Sequence, residues 1–219
     1  MVLRAFRIVM VTTIIGLSML VLGMPQAGAR PWAIPQALHN KNSITYFVAD
    51  GNGKPGYHSS DRELAQWALQ AWQKSAANGI RFTASAESSA LIRVYWAGPE
   101  GGEFGETRPI LVGGKEGAAV FIRPDIDSLG PEIARRATAD ALLRDSIVYL
   151  TCVHELGHAL GLAHTRDFHD IMYYFGFGGD VVDYFGRYRS QIHTRNDIAT
   201  VSGLSEGDVN RIRAIYRRE

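Results

Sequence analysis

From residue 44 onward, short apolar runs alternate with stretches in which apolar residues return every three or four positions. Ile44-Thr45-Tyr46-Phe47-Val48 reads as a buried strand, ended by the turn-forming Asp50-Gly51-Asn52-Gly53. Ser60-Asp61-Arg62-Glu63 is a capping-box pattern, and Leu64, Trp67, Ala68, Ala71 and Trp72 follow at helical spacing until Gly79 stops the helix. That periodicity turns Trp67 and Trp72 toward the core. Strands are predicted near residues 80–84 and 91–96, a glycine-rich loop from Gly98 to Gly117, and a short strand over Ala118–Ile122 ended by Pro124. Pro131 to Arg144 reads as a polar helix, and Ile147 to Leu160 as a more apolar one. Ser205-Glu206-Gly207-Asp208 opens a last helix with Val209, Ile212 and Ile215 or Tyr216 facing inward. These elements describe one domain of mixed α and β structure.

Composition narrows the picture. A chain of 219 residues, 46% hydrophobic and 21% charged, is long enough to bury a full core and falls in the single-domain range. A formal net charge of +1 gives no electrostatic case for a nucleic-acid partner. Arginines in 135–144 and 187–195 stand among acids and aromatics and read as solvated faces. Arg4 and Arg7 precede an apolar run from Ile8 to Leu22, and Ala27-Gly28-Ala29 follows, so residues 1–29 are expected to be a signal peptide; an uncleaved anchor is the alternative. Residues 30–219 then form the exported domain, in a periplasm or outside the cell, with no stable membrane association after cleavage. Cys152 is the only cysteine, which excludes an internal disulfide and suits a buried structural thiol.

One stretch carries chemistry. Thr151-Cys152-Val153-His154-Glu155-Leu156-Gly157-His158-Ala159-Leu160-Gly161-Leu162-Ala163-His164-Thr165 places three histidines and a glutamate within eleven positions. On a helix, His154 and His158 project from one face a turn apart and can reach one ion. Gly161 is suited to end the helix in a left-handed conformation, letting His164 swing back as a third ligand. Three protein nitrogens with a fourth position left to water is a catalytic zinc arrangement, and a structural zinc site would want a fourth protein ligand, often cysteine. Glu155, rotated away from the ligand face, is placed to take a proton from a water made acidic by the ion and to return it to a leaving amine. The expected reaction is hydrolysis of an amide bond.

This stretch resembles the zinc signature of the metzincins, and most closely that of the matrixins. Met172, eight residues beyond His164 in Asp170-Ile171-Met172, resembles the matrixin methionine turn, which in the family forms an apolar floor beneath the histidines; unaided, Met172 reads as core. Leu204 to Tyr216 is similar to the family's final helix, and Ala71-Trp72 with Ile80-Arg81-Phe82 to its first helix and following strand. The resemblance implies an α+β, zincin-like metzincin catalytic domain: a twisted mixed sheet, an active-site helix and a C-terminal helix. It implies one Zn2+ and a protein or peptide substrate. It also implies that Ala118, Ala119, Val120 and Phe121 occupy the edge strand along which an extended substrate lies antiparallel; an ordinary sheet strand is the alternative.

Several features depart from the matrixin pattern. A propeptide cysteine for latency has no counterpart, and about ten residues between the leader and the first strand leave no room for such a prodomain. The glycine-rich loop lacks the His and Asp spacing that carries the structural zinc of animal matrixins; its Glu100, Glu103 and Glu106 offer either Ca2+ ligands or merely solvated acids. The segment from Tyr173 to Gly203 is longer than the matrixin counterpart, and with Tyr184, Phe185 and Tyr188 it is expected to set substrate choice. Tyr174 replaces the usual proline two residues after the turn methionine, at the position where astacins and serralysins carry a tyrosine that binds zinc and then stabilises an oxyanion. The sequence therefore reads as a secreted zinc endopeptidase with His154, His158 and His164 as ligands and Glu155 as base. A zinc hydrolase of cell-wall peptide crosslinks and an inactive zinc-dependent peptide-recognition module remain the alternatives.

Overall fold

The computed structural model describes Leu38 and residues 43–99 and 104–216. Residues 1–29, the expected leader, lie outside that range. Five strands, β1 (Ser43–Val48), β2 (Arg81–Ala84), β3 (Ile92–Trp96), β4 (Gly105–Val112) and β5 (Lys115–Ile122), form one sheet in the order β2-β1-β3-β5-β4. The first four run parallel, and β4 lies antiparallel to β5 at the edge. Ile92, Val94 and Trp96 stand in register with Ala118, Val120 and Ile122, and all six side chains are buried on one face.

Helix α1 (Asp61–Ser75) packs along α3 (Ala141–Ala159) and against β1 and β2, while α3 also reaches β4 and β5. Trp72 is fully buried between them and donates its indole N–H to the Val153 carbonyl at 2.9 Å. Trp67 is only partly buried, beneath the Arg195 guanidinium at 4.8 Å. Helices α2 (Pro131–Ala139), α4 (Val181–Arg189) and α5 (Glu206–Ile215) complete the described fold.

Four local expectations are corrected. The glycine-rich stretch is a hairpin over most of its length, not a loop. Gly113 and Gly114 take positive φ in its two-residue turn, and Gly117 lies so close to the Leu91 carbonyl that a Cβ would stand 2.4 Å from it. The polar helix expected to Arg144 breaks at Asp140, whose carboxylate accepts from the N–H groups of Leu142 and Leu143 and so starts α3 at Ala141. The capping box at Ser60 does not form, because Ser60 has helical backbone angles and its side chain caps nothing. Asp61 turns back instead to accept from the His58 N–H at 2.9 Å. Finally, Arg144 is not solvated: it is buried in a two-pronged pair with the fully buried Asp61 and donates to the Gly56 carbonyl at 2.6 Å. Arg144 also reaches Asp145 at 3.2 Å, so removing Arg144 is the change that strands the fully buried Asp61 carboxylate, at about 3–5 kcal/mol.

Candidate metal and active site

Three local devices bring the histidines together. His154 and His158 share a face of α3. The helix then ends in a left-handed turn: Gly161 has φ +98°, its N–H reaches the His158 carbonyl at 3.0 Å, and the Leu162 N–H reaches the Gly157 carbonyl at 2.9 Å. Beyond it, Thr165 donates to the Met172 carbonyl at 2.8 Å and bridges Tyr173, tying the segment that carries His164 to the turn around Met172.

The three Nε2 atoms converge. His164 Nε2 stands 3.3 Å from that of His154 and 3.1 Å from that of His158. Two nitrogens on one tetrahedral zinc, each about 2.05 Å from it, stand roughly 3.3 Å apart, so the spacing suits a shared ion. Hydrogen bonding fixes which nitrogens are free. His154 Nδ1 lies 2.6 Å from the Ile171 carbonyl and His158 Nδ1 lies 2.8 Å from the Leu162 carbonyl. A carbonyl only accepts, so each Nδ1 carries the hydrogen and each Nε2 points a lone pair at the common centre. Burial holds these rings neutral, lowering His154 to about 3, helped by neighbouring His158, and lowering His158 to about 4; burial lowers His164 as well. Converging lone pairs on neutral rings repel one another until a cation sits among them. The donor set therefore fits zinc.

Met172 is fully buried beneath this group. A Cβ on Gly157, the helix residue between the two histidines, would stand 2.4 Å from Met172 Sδ and 3.1 Å from Trp72 Cζ2. Glycine there is what lets the methionine reach the helix. The turn is also pinned from α5, which opens at Ser205 as expected, with a capping box between Ser205 and Asp208. The buried Asp208 carboxylate accepts from the Ile171 N–H at 2.8 Å, and the Ile171 carbonyl holds His154. Tyr184 donates to the carbonyls of Asp170 and Ile171, and Arg211 bridges the carboxylates of Asp170 and Asp208.

Glu155 follows His154 on α3 and is buried. Its Oε2 lies 2.8 Å from the Thr107 hydroxyl of β4, which is also 2.9 Å from the Glu155 carbonyl. Tyr174 is half exposed, and its ring stacks on His164 with centroids 4.7 Å apart. His154, His158, His164, Met172 and Tyr174 are thus brought together, with Glu155 beside them on the helix.

The substrate strand needs correction. β5 is paired on both sides, to β3 and to β4, so Ala118, Ala119, Val120 and Phe121 have no free backbone edge. Among the described strands, the edge next to β5 is β4. The aromatic segment needs one too: Tyr184, Phe185 and Tyr188 lie on α4 and are core, whereas Tyr174, Phe175 and Phe177 are exposed. Of the acids read as possible Ca2+ ligands, only Glu106 falls among the described residues. Glu106 is clasped by Arg108 through bonds of 2.7 and 2.6 Å, and Glu100 and Glu103 lie outside the described residues. Cys152 is fully buried, and burial pushes its thiol well above the usual range, as suits an inert thiol.

Sequence reasoning missed Gly157, Thr107 and the reach of Asp208 to the turn. A glycine inside an otherwise helix-favouring run was the one available cue for Gly157. Nothing local marks Thr107 as a partner of Glu155.

The family model described as Matrixin (Peptidase_M10) matches residues 134–179, from α2 through α3 to the segment after Met172. No curated protein matches the chain. The matrixin match and the group of three histidines together support a metzincin-like zinc metallopeptidase, and the mixed five-stranded sheet with its helices is consistent with a matrixin-type catalytic domain.

Proposed function

We propose that this protein is a secreted, zinc-dependent endopeptidase: residues 1–29 direct export, and 30–219 form one catalytic domain. The observation that carries the reading is the convergence of three histidine Nε2 atoms beside a buried glutamate. Bound by His154, His158 and His164, zinc would polarise the scissile carbonyl and acidify water. Glu155 takes the proton of the attacking water and hands it to the leaving amine. Tyr174, stacked on His164, donates its phenolic hydrogen to the developing oxyanion.

The edge of β4 away from β5 supports extended binding of the substrate backbone. The Arg123 N–H bonds the Phe104 carbonyl at 2.9 Å, so even-numbered residues of β4 turn toward β5. The odd-numbered ones, Gly105, Thr107, Pro109 and Leu111, turn their backbone groups outward. Pro109 has no N–H to offer, so two-way backbone pairing is confined to Gly105 and Thr107 on that side of it. Exposed Phe175 and Phe177 near Tyr174 favour apolar substrate side chains next to the metal site.

The test incubates zinc-loaded protein with a mixed peptide pool beside Glu155→Gln at matched zinc content, with products read by mass spectrometry. Products that vanish in the variant are expected. Intact peptides with folded, zinc-loaded protein would overturn the reading.

A further inference from the structure

Glu155 sits between two residues of the edge strand that share a face of the sheet. On one side is the Thr107 hydroxyl, 2.8 Å from Oε2. On the other is Gly105, where a Cβ would stand 2.6 Å from Oε1, 2.7 Å from Cγ and 2.9 Å from Cδ. Threonine supplies a bond and glycine supplies the space. The same two residues offer the outward backbone groups on which an extended substrate would pair.

We propose that Gly105 and Thr107 form a cradle that fixes the Glu155 side chain in its working orientation, so that the strand receiving the substrate also positions the base. This rests on the endopeptidase reading. Thr107 is a positioning residue, acting through Glu155. A long carboxylate side chain has several rotamers, and holding one of them on a rigid strand removes the search from the reacting complex. A reading in which Thr107 merely ties β4 to α3 through the Glu155 carbonyl predicts lost stability without a kinetic effect.

The variants are Thr107→Val, which keeps the shape and removes the hydroxyl; Thr107→Ser, which keeps the hydroxyl; and Gly105→Ala, which fills the space. Thr107→Val should lower kcat by about tenfold or more, the size of a lost hydrogen bond to a charged group, with KM within about twofold and zinc content unchanged. Thr107→Ser should restore most of the loss, and Gly105→Ala should lower kcat at least as far as Thr107→Val. A second readout needs no activity: in metal-free protein labelled with 13C-carboxyl glutamate, the Glu155 resonance, identified by its absence in Glu155→Gln, should move in Thr107→Val and stay in Thr107→Ser. A wild-type kcat in Thr107→Val, a loss carried by KM, or an unmoved resonance would overturn the proposal. If the wild-type protein cleaves no peptide, the endopeptidase reading fails, and the resonance alone decides the cradle.

Discussion

Gly157→Ala puts the methionine floor to the test. In an open helix this substitution stabilises by about 1 kcal/mol, because alanine loses less backbone freedom than glycine. Here the new Cβ would stand 2.4 Å from Met172 Sδ, 3.3 Å from Met172 Cε and 3.1 Å from Trp72 Cζ2. Ordinary contact needs roughly 3.5–4.0 Å, so the sulfur must retreat by more than about 1 Å. It has nowhere open to go: Met172 and Trp72 are both fully buried, and Trp72 is bonded to Val153. Forced overpacking costs about 1–3 kcal/mol, so the helical gain is cancelled and a net loss of up to about 2 kcal/mol is expected. The retreat also drags the Ile171 carbonyl that orients His154, and disturbing such a partner weakens metal binding by about 10-fold to 100-fold. Urea unfolding of the metal-free variant and zinc affinity by chelator competition measure the two effects. A variant stabilised by about 1 kcal/mol with unchanged zinc affinity would refute the reasoning.

Asp208→Ala removes the acceptor for the N–H groups of Ile171 and Ser205, and should cost about 2–3 kcal/mol in urea unfolding and about tenfold in zinc affinity. Exposed Glu206→Ala, two residues earlier in the same helix, should do neither. Tyr174→Phe should lower kcat far more than it raises KM in peptide cleavage; an unchanged kcat would remove the phenol from catalysis. Metal-free protein should weaken in acid. His154 and His158 are held at about 3 and about 4 when folded, against roughly 6.5 unfolded, so the unfolded chain takes up protons first. Their contribution is complete above about pH 6.5 and falls as pH drops toward 4, by up to about 1.4 kcal/mol per pH unit for each histidine. Calorimetry between pH 7.5 and 5 should show a shallower decline in His158→Gln; an equal decline would exclude this origin.

The histidine cluster was legible because it is local. His154 and His158 share one helical face, and a single left-handed glycine turns the chain back to His164, so spacing alone describes the site. Strand positions were legible where burial alternates with period two, as in β3. What sequence periodicity could not reach was long-range. The exchange of edge and interior between β4 and β5 depends on pairing partners, and glycines placed for close approach read locally as loop. Tyr184, Phe185 and Tyr188 gave the same aromatic pattern whether they lined a surface or filled a core. Thr107 became visible only once β4 lay against α3, forty-eight residues away in sequence. Asp61 shows the same limit: the cap-like pattern around it gave no sign of its buried pair with Arg144, eighty-three residues away.

The central claim, that the three histidines hold one catalytic zinc, is tested most directly by zinc X-ray absorption on the purified protein with metal stoichiometry measured alongside. One zinc per chain is expected, with three nitrogen neighbours at about 2.0–2.1 Å, oxygen completing the shell, and loss of the ion in His158→Ala. A sulfur neighbour, or tight zinc that survives His158→Ala, would contradict it.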